Sequence, residues 1–330
     1  MINVAIIGAG LAGLTLASRL SKNVNVFLVE KSIGVGGRMA TRRIGGYDFD
    51  HGAQFFTARS QAFKKFLTSH IESGDIAEWK PRITTLSIGK KPYTRQWFEP
   101  HYVGAPAMTS LCKKMASEHE ILFKTQVSKL TEDVGGWRLH AKEKQLDMTF
   151  DWVISTAPAI QTCELMADHF PKEFIYGDDG LMSVIMEPCF SLMLSFEILP
   201  THFFDCAKVN NSTIEWIMLN SSKPGREKKH ALVIQTRNSW AIENLERPSE
   251  EITEAILDEL ALVLPFKLPE HIVSSLKRWR YSRVVKSLKQ DYLLDPQSML
   301  AACGDWGVEG RIEGAFISAM KLADALEEML

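Results

Sequence analysis

The chain has 330 residues, about twice the usual length of one domain, so two domains are expected. Hydrophobic residues make up 45% of it, which supplies a sizeable core and excludes a disordered or collagen-like chain. Its 38 Lys and Arg against 40 Asp and Glu leave a formal charge of −2, which argues against a broad nucleic-acid or membrane-surface binder.

Met1 to Leu20 is apolar but has no basic leader, and Gly8, Gly10 and Gly13 interrupt it, so it reads as structure rather than as a signal peptide. Ile2 to Ile7 is a short β-rich run, Leu11 to Leu20 carries apolar residues at helical spacing, and Val24 to Val29 is a second strand. Together they form a βαβ unit whose nearly all-apolar strands suit a parallel sheet covered on both faces. A glycine-rich segment, Gly34 to Gly46, precedes a helix expected from Ser60 to Ser73. Ile76 to Tyr102 changes to short alternating runs with turn signals at Gly89 and Pro92, which read as antiparallel strands.

A proline-started helix is expected over Pro106 to Glu118, then strands near Ile121 to Leu130 and Trp137 to Leu146 around a Gly135-Gly136 turn. Asp151 to Thr156 reads as a buried strand, and Ala159 to Ala167 as a helix. Cys189 to Ile198, Ile214 to Asn220 and Ala231 to Thr236 imply a second sheet, followed by an amphipathic helix over Ser249 to Leu264 with Ser249 as N-cap. Met299 to Cys303, Gly304-Asp305 and Ile312 to Met329 return to strand, loop and long helix. The expected fold is therefore α/β: a Rossmann-type domain at both ends of the chain brackets a mostly antiparallel sheet. The boundaries read as 1–75, 103–160 and 275–330 for the dinucleotide domain, and 76–102 and 161–274 for the substrate domain.

The cysteines, Cys112, Cys163, Cys189, Cys206 and Cys303, form no CxxC, and the nine histidines form no HExxH. Neither a disulfide framework nor a metal centre is expected, and a reducing, cytoplasmic compartment fits best. No stretch is long and uncharged enough for a transmembrane helix.

The sharpest motif is Gly8-Ala9-Gly10-Leu11-Ala12-Gly13. Gly8 permits the tight turn leaving the strand, Gly10 lets the backbone approach a pyrophosphate, and Gly13 allows close helix-to-strand packing. The helix start offers free N–H groups and a positive dipole end to phosphates. Glu30, at the end of the next strand, is placed to bond a ribose hydroxyl, and its charge argues against a 2′-phosphate there. The fingerprint itself leaves FAD and NAD both open. A second loop, Lys31 to Met39, carries Gly36, Gly37 and Arg38, whose guanidinium supplies countercharge for a diphosphate. Near the other end, Asp305 is placed for ribityl hydroxyls, and the N–H groups of Ile312 and Glu313 for negative charge on a reduced flavin. The three segments together favour FAD.

These segments, with Gly304-Asp305 and Glu313-Gly314-Ala315, resemble the FAD-dependent amine oxidase superfamily. More narrowly, Gly52 to Arg59, Tyr102-Val103-Gly104, Ser222-Lys223-Pro224, Arg278-Trp279 and Cys303 to Trp306 resemble the bacterial renalases, over nearly the whole chain. The resemblance implies noncovalent FAD held by Gly8, Gly10, Leu11, Ala12, Gly13, Glu30, Lys31, Gly37, Arg38, Met39, Ala53, Gln54, Val127, Gly304, Asp305, Ile312, Glu313 and Gly314. It also implies a flavin oxidase that takes hydride from isomeric dihydronicotinamide dinucleotides and reduces O2 to hydrogen peroxide. Such a reaction aromatises the donor ring and requires no obligatory base, so it asks the protein mainly to position the ring.

Substrate contacts are expected from Phe55 and Phe56 as an apolar wall, from Arg59, Arg95 and Arg311 to phosphate or carboxamide, and from Gln96. Trp216, Trp240, Trp279 and Trp306 are candidates for an aromatic lining. Gln235 stands where the related bacterial proteins carry histidine. Asp48, Asp50 and His51 read as residues that order the turn before Gly52 rather than as an acid/base group. A flavin amine oxidase, a flavin-binding scaffold or sensor without turnover, and an NAD-dependent dehydrogenase remain alternatives. The oligomeric state is open, and no nucleic-acid or membrane partner is expected.

Overall fold

A computed structural model describes residues 1–20, 24–141, 145–200 and 204–330, with the side chains of residues 145 and 147 left aside. A six-stranded sheet forms one layer, in the order Tyr292–Asp295, Leu300–Cys303, Trp152–Ser155, Asn3–Ile7, Asn25–Val29, Ile121–Leu122. All neighbouring pairs are parallel except the first. Its two central strands are apolar and buried because helices cover one face and a three-stranded sheet with short helices covers the other. Helix Leu11–Leu20 follows the first strand and packs against the long helix Ile312–Glu327. Arg19 ties the two at the surface through Asp324 and Glu327.

The second layer is a seven-stranded sheet in the order Val273–Lys286, Ile185–Phe196, His230–Thr236, Ile214–Leu219, Cys206–Asn210, Ile83–Ser87, Tyr93–Arg95. Its pairings are antiparallel except between Cys206–Asn210 and Ile83–Ser87. Successive side chains of a strand alternate between faces. Along Ile185–Phe196, Met193 joins the core shared with the parallel sheet, while Leu192 and Leu194 join a separate core under helix Ser249–Val263.

Several expectations are corrected. The helix expected from Pro106 begins only at Ser110, because Ala107 and Ser110 close a turn on each other through Ala107 N–H to Ser110 Oγ and Ser110 N–H to Ala107 O. The run Ile121 to Leu130 splits between two sheets, as Ile121–Leu122 and Val127–Asp133. The run Trp137 to Leu146 is likewise two strands, Gly136–Ala141 and Gln145–Phe150, and its residues 142–144 lie outside the described residues. Ser249 is the first residue of its helix, with Pro248 at the cap position. Part of the glycine-rich segment is a hairpin of Thr41–Ile44 and Tyr47–Asp50.

The expected boundary at residue 275 cuts through strand Val273–Lys286, which belongs to the antiparallel sheet. Helix Ala159–Met166 and the turns to Leu181 pack instead on the core of the parallel sheet, although residues from 161 onward were expected in the other domain.

Candidate cofactor and substrate site

The loop between strand Asn3–Ile7 and helix Leu11–Leu20 is built as the motif requires. Gly8 has φ 109°, a conformation open to glycine, and a Cβ on Gly13 would overlap the carbonyl oxygen of Gly8. At Gly10 the space a Cβ would enter is open, with nothing within 4 Å. The second loop lies against the first: Gly36 N–H donates to Ala9 O at 2.9 Å, and a Cβ on Gly37 would lie 3.6 Å from the Cα of Gly10. Glu30 is buried and accepts from Ala9 N–H at 2.9 Å and Ser32 N–H at 2.7 Å. A carboxylate has more acceptor positions than these two, so a ribose hydroxyl remains within its capacity. Val127 begins the strand that follows Thr125, whose N–H donates to Glu30 O.

Arg38 and Asp305, expected to act on different parts of a cofactor, meet each other through a bidentate pair. The third glycine-bearing stretch packs beneath this pair: Ala53 N–H donates to Arg38 O at 2.8 Å, and a Cβ on Gly52 would overlap that same oxygen. Gly304 N–H is held by Ser318 Oγ at 2.9 Å, and a Cβ there would strike the Trp306 ring. Glu313, at the start of helix Ile312–Glu327, accepts from Arg59 N–H at 2.9 Å and Ser60 N–H at 2.6 Å. Burial works to raise its pKa, but these donors and Arg59 hold the carboxyl below its usual value. The segments Gly8–Gly13, Gly34–Met39, Gly52–Gln54 and Gly304–Gly314 are thus mutually tied. An open backbone approach at Gly10, one cation at Arg38 and acceptors at Glu30 and Asp305 fit a dinucleotide.

Under the Gly52–Gln54 turn lies a buried polar cluster that sequence reading did not find. Lys223, fully buried, donates to Asp50 at 3.0 Å, Gln54 Oε1 at 3.1 Å and Asn220 Oδ1 at 3.2 Å. Arg226 donates to the same Asp50 oxygen at 2.6 Å and to Gly104 O. Burial opposes the Asp50 charge, yet Lys223, Arg226 and the Thr41 hydroxyl hold its pKa far below the ordinary carboxylate range. Burial brings Lys223 down to about 8, against the pull of Asp50. Gln54 Nε2 completes the cluster by donating to Asp50 O and Gly52 O. Asp50 therefore orders the turn, whereas Asp48 pairs with Arg43 in the surface hairpin. Only the Ser222-Lys223-Pro224 motif hinted at this lysine.

Phe55 follows directly, inside an aromatic box: Trp97 at 4.6 Å, His101 at 4.8 Å, Trp216 at 6.1 Å and Trp79 at 6.3 Å between ring centroids. Trp97 and His101 stack at 3.4 Å, and burial pushes His101 below its usual pKa. A cavity of about 490 Å³ lies beside the box, with Arg95, Gln96, Trp97 and His101 in its wall. Phe56 does not join this wall. It is buried against Phe63 and Tyr102, because its extended backbone, bridged to Tyr102, turns alternate side chains to opposite sides.

The arginines expected on substrate are divided. Arg59 pairs with Glu99 at 2.9 Å and Arg311 with Glu309 at 3.1 Å, which takes up their charge at the surface. Arg95 remains exposed in the cavity wall. Gln235 donates to Gly52 O at 2.7 Å, in the Gly52–Gln54 turn. Trp279 donates to His51 O at 2.9 Å and stacks on the His51 ring at 5.3 Å. Trp240 packs on Phe190 in the core under helix Ser249–Val263, and Trp306 is fully buried with its N–H on Ala157 O. Both are core residues, not lining.

The family described as NAD(P)-binding Rossmann-like domain matches residues 6–69. Mouse (Mus musculus) renalase is 24% identical over 351 residues, covering 100% of both chains. The chain is similar to renalase over its full length. A putrescine oxidase variant superposes with TM-score 0.78 at 14% identity, covering 100% of this chain and 99% of that one. Cyclohexylamine oxidase from Brevibacterium oxydans gives 0.73 at 11%, covering 99% of each. These two establish the fold, and the full-length similarity to renalase with the Rossmann-like match supports an FAD-dependent oxidoreductase. Among the described residues, no helix is long and apolar enough to cross a membrane, and no group of His, Cys, Asp and Glu is arranged for a metal ion.

Proposed function

We propose that the chain is an oxidase of isomeric dihydronicotinamide dinucleotides, returning them to the oxidised coenzyme. The observation that carries this reading is the aromatic box around Phe55, set immediately after the Gly52–Gln54 turn. It offers stacking planes to a flat heterocycle, and the two carboxylates in the cavity wall are already engaged, Glu99 by Arg59 and Glu78 by Lys80. The full-length similarity to renalase supports it.

FAD in the tied loops supplies a hydride acceptor that passes its electrons on to O2. The donor loses one hydride and becomes an aromatic pyridinium, and hydride, O2 and a proton together give H2O2. Phe55, Trp97 and Trp216 stack and orient the donor ring. Gln235 and the Lys223–Gln54 bonds keep the Gly52 turn fixed, so that positioning rather than proton abstraction falls to the protein. Arg95 and Gln96 stand at the cavity for the donor's polar groups. Gly8, Gly10, Leu11, Ala12, Gly13, Glu30, Arg38, Asp305 and the start of helix Ile312–Glu327 hold the cofactor.

The test is anaerobic mixing of the FAD-loaded protein with isomeric dihydronicotinamide dinucleotides and, separately, with primary and secondary amines. Flavin bleaching by the dihydronicotinamides, and peroxide formation after air is admitted, are expected. Bleaching by amines alone would overturn the reading in favour of an amine oxidase. Bleaching without reoxidation in air would make the protein a scaffold or sensor.

A further inference from the structure

The seven-stranded sheet aligns one residue from each of five adjacent strands: Lys208 opposite Trp216, Trp216 opposite Gln235, Gln235 opposite Ser191, and Ser191 opposite Lys277. Directly paired residues project to one face. That face looks onto the flavin-loop turn, since Gln235 Nε2 bonds Gly52 O at 2.7 Å and Ser191 Oγ at 3.3 Å. Beyond Lys208 the row runs on to Thr85 and Tyr93, whereas Lys277 stands on the edge strand, and the two lysines differ. Lys208 is neutralised by Glu215 at 2.5 Å. Lys277 is half-buried and, among the described residues, makes no ion pair; its ammonium lies 5.1 Å from the centroid of Trp279.

The charged groups that act on Lys277 are Arg42 and Lys31, both positive, while Asp50 acts on neighbouring His51 in the opposite sense. Burial, then Arg42 and Lys31, depress the pKa of Lys277, and Lys277 and Arg42 act in the same way on His51. Arg42 lies on the Thr41–Ile44 hairpin, which packs on the strand of Lys277 where a Cβ on Gly45 would stand 3.0 Å from the Val273 side chain, and among the described residues it also makes no ion pair. His51 is 7% exposed, has no hydrogen-bond partner at Nδ1, and stacks on the same Trp279. The edge of Trp279 in turn lies 3.4 Å from where a Gly52 Cβ would stand. Two unpaired cations, an aromatic plane and an unpartnered imidazole nitrogen thus gather beside the turn that flanks the cofactor. Lys277 is half-buried and Arg42 exposed; like charges brought together repel, and an anion between them relieves this. A phosphate group suits a lysine and an arginine together.

We infer that Lys277 and Arg42 form a subsite for a phosphate group of the dinucleotide substrate. This rests on the substrate reading above, and it replaces Arg59 and Arg311, whose charges Glu99 and Glu309 already take up. Lys277 belongs to the antiparallel sheet, outside the Gly8–Gly13 cradle that serves the cofactor's diphosphate.

The experiment titrates NAD⁺ and nicotinamide riboside, which has no phosphate, into FAD-loaded wild type, Lys277→Met, Lys277→Arg and the Lys277→Met/Arg42→Met double variant by calorimetry. Wild type binds NAD⁺ more tightly than the riboside. In the double variant the NAD⁺ affinity falls about tenfold or more, while riboside affinity and FAD content stay unchanged. Lys277→Arg keeps most of the preference. Turnover follows: the advantage in kcat/KM of a dihydronicotinamide dinucleotide over the matching riboside collapses toward one in the double variant. Equal binding of the two ligands by wild type, no binding of NAD⁺, or a preference that survives in the double variant overturns the inference. Loss of FAD from the double variant also overturns it and assigns the cations to the cofactor. Should wild type bind NAD⁺ through Lys277 yet oxidise no dihydronicotinamide, the substrate reading fails while the phosphate subsite stands.

Discussion

The guanidinium of Arg38 and the carboxylate of Asp305 share two hydrogen bonds, of 2.7 and 2.6 Å, across 267 residues of chain. The pair locks the second glycine loop to the turn that opens helix Ile312–Glu327, and its two members are unequally buried. The Asp305 side chain is 5% exposed and that of Arg38 31%. Arg38→Met therefore strands a buried carboxylate and costs about 3 kcal/mol, whereas Asp305→Asn leaves an arginine that still reaches water and costs about half as much. Both variants retain less FAD. Urea unfolding with and without added FAD, together with flavin absorbance after gel filtration, measures this order.

The cluster under Gly52 holds two cations, Lys223 and Arg226, on one carboxylate, Asp50. Removing Asp50 as Asp50→Asn leaves two buried cations facing each other and costs about 3–5 kcal/mol. Lys223→Met leaves the neutral Asp50–Arg226 pair and costs less than about 2 kcal/mol. Because Gln54 loses the ammonium that fixes its amide, Lys223→Met lowers kcat more than it raises KM. Thermal melts rank the two variants, and steady-state kinetics on the dihydronicotinamide dinucleotide reads the second effect.

His51 gives the acid limb of stability. Burial, then Lys277 and Arg42, bring its pKa down to about 4 from 6.5. The unfolded chain therefore takes up the proton first as pH falls. The contribution is fully present above pH 6.5 and is lost between 6.5 and 4, by on the order of 3 kcal/mol. His51→Phe, which keeps a ring against Trp279, flattens the dependence over that interval. Denaturant midpoints at a series of pH values show whether it does.

Two glycines of one motif separate folding from cofactor binding. Gly10→Ala points a methyl into open space, so the protein folds with near-normal stability and emerges colourless. Gly13→Ala drives its methyl into the Gly8 carbonyl, and the loop must shift with a loss of several kcal/mol. Circular dichroism melts against flavin content distinguish the two outcomes.

Glycine spacing, Glu30 and the apolar strands around them were legible because each obeys a local rule of period or turn geometry. Strand Val273–Lys286 was not: Lys277, Arg278, Arg280 and Arg283 mask its alternation, and only the Arg278-Trp279 motif marked it. The cluster of Asp50 and Lys223 was invisible because 173 residues separate the partners, and nothing local marks a lysine as buried. Phe56, expected as a wall, and Trp240 and Trp306, candidates for a lining, point into the core instead, because residue type gives hydrophobicity and only the backbone gives direction. Arg59 and Arg311 look available in sequence, but their acidic neighbours take them up.

Strand Leu300–Cys303 enters the parallel sheet between Tyr292–Asp295, made just before it, and Trp152–Ser155, made far earlier. During synthesis the first βαβ unit emerges hundreds of residues before the strand and helix that finish its sheet. The antiparallel sheet up to residue 236 is available first, so the nascent flavin layer waits with an apolar edge uncovered. A ribosome that stalls before residue 300 releases a chain without a complete flavin site, exposed to proteolysis and self-association, and free FAD becomes useful to the folding chain only once Leu300 to Gly314 has emerged.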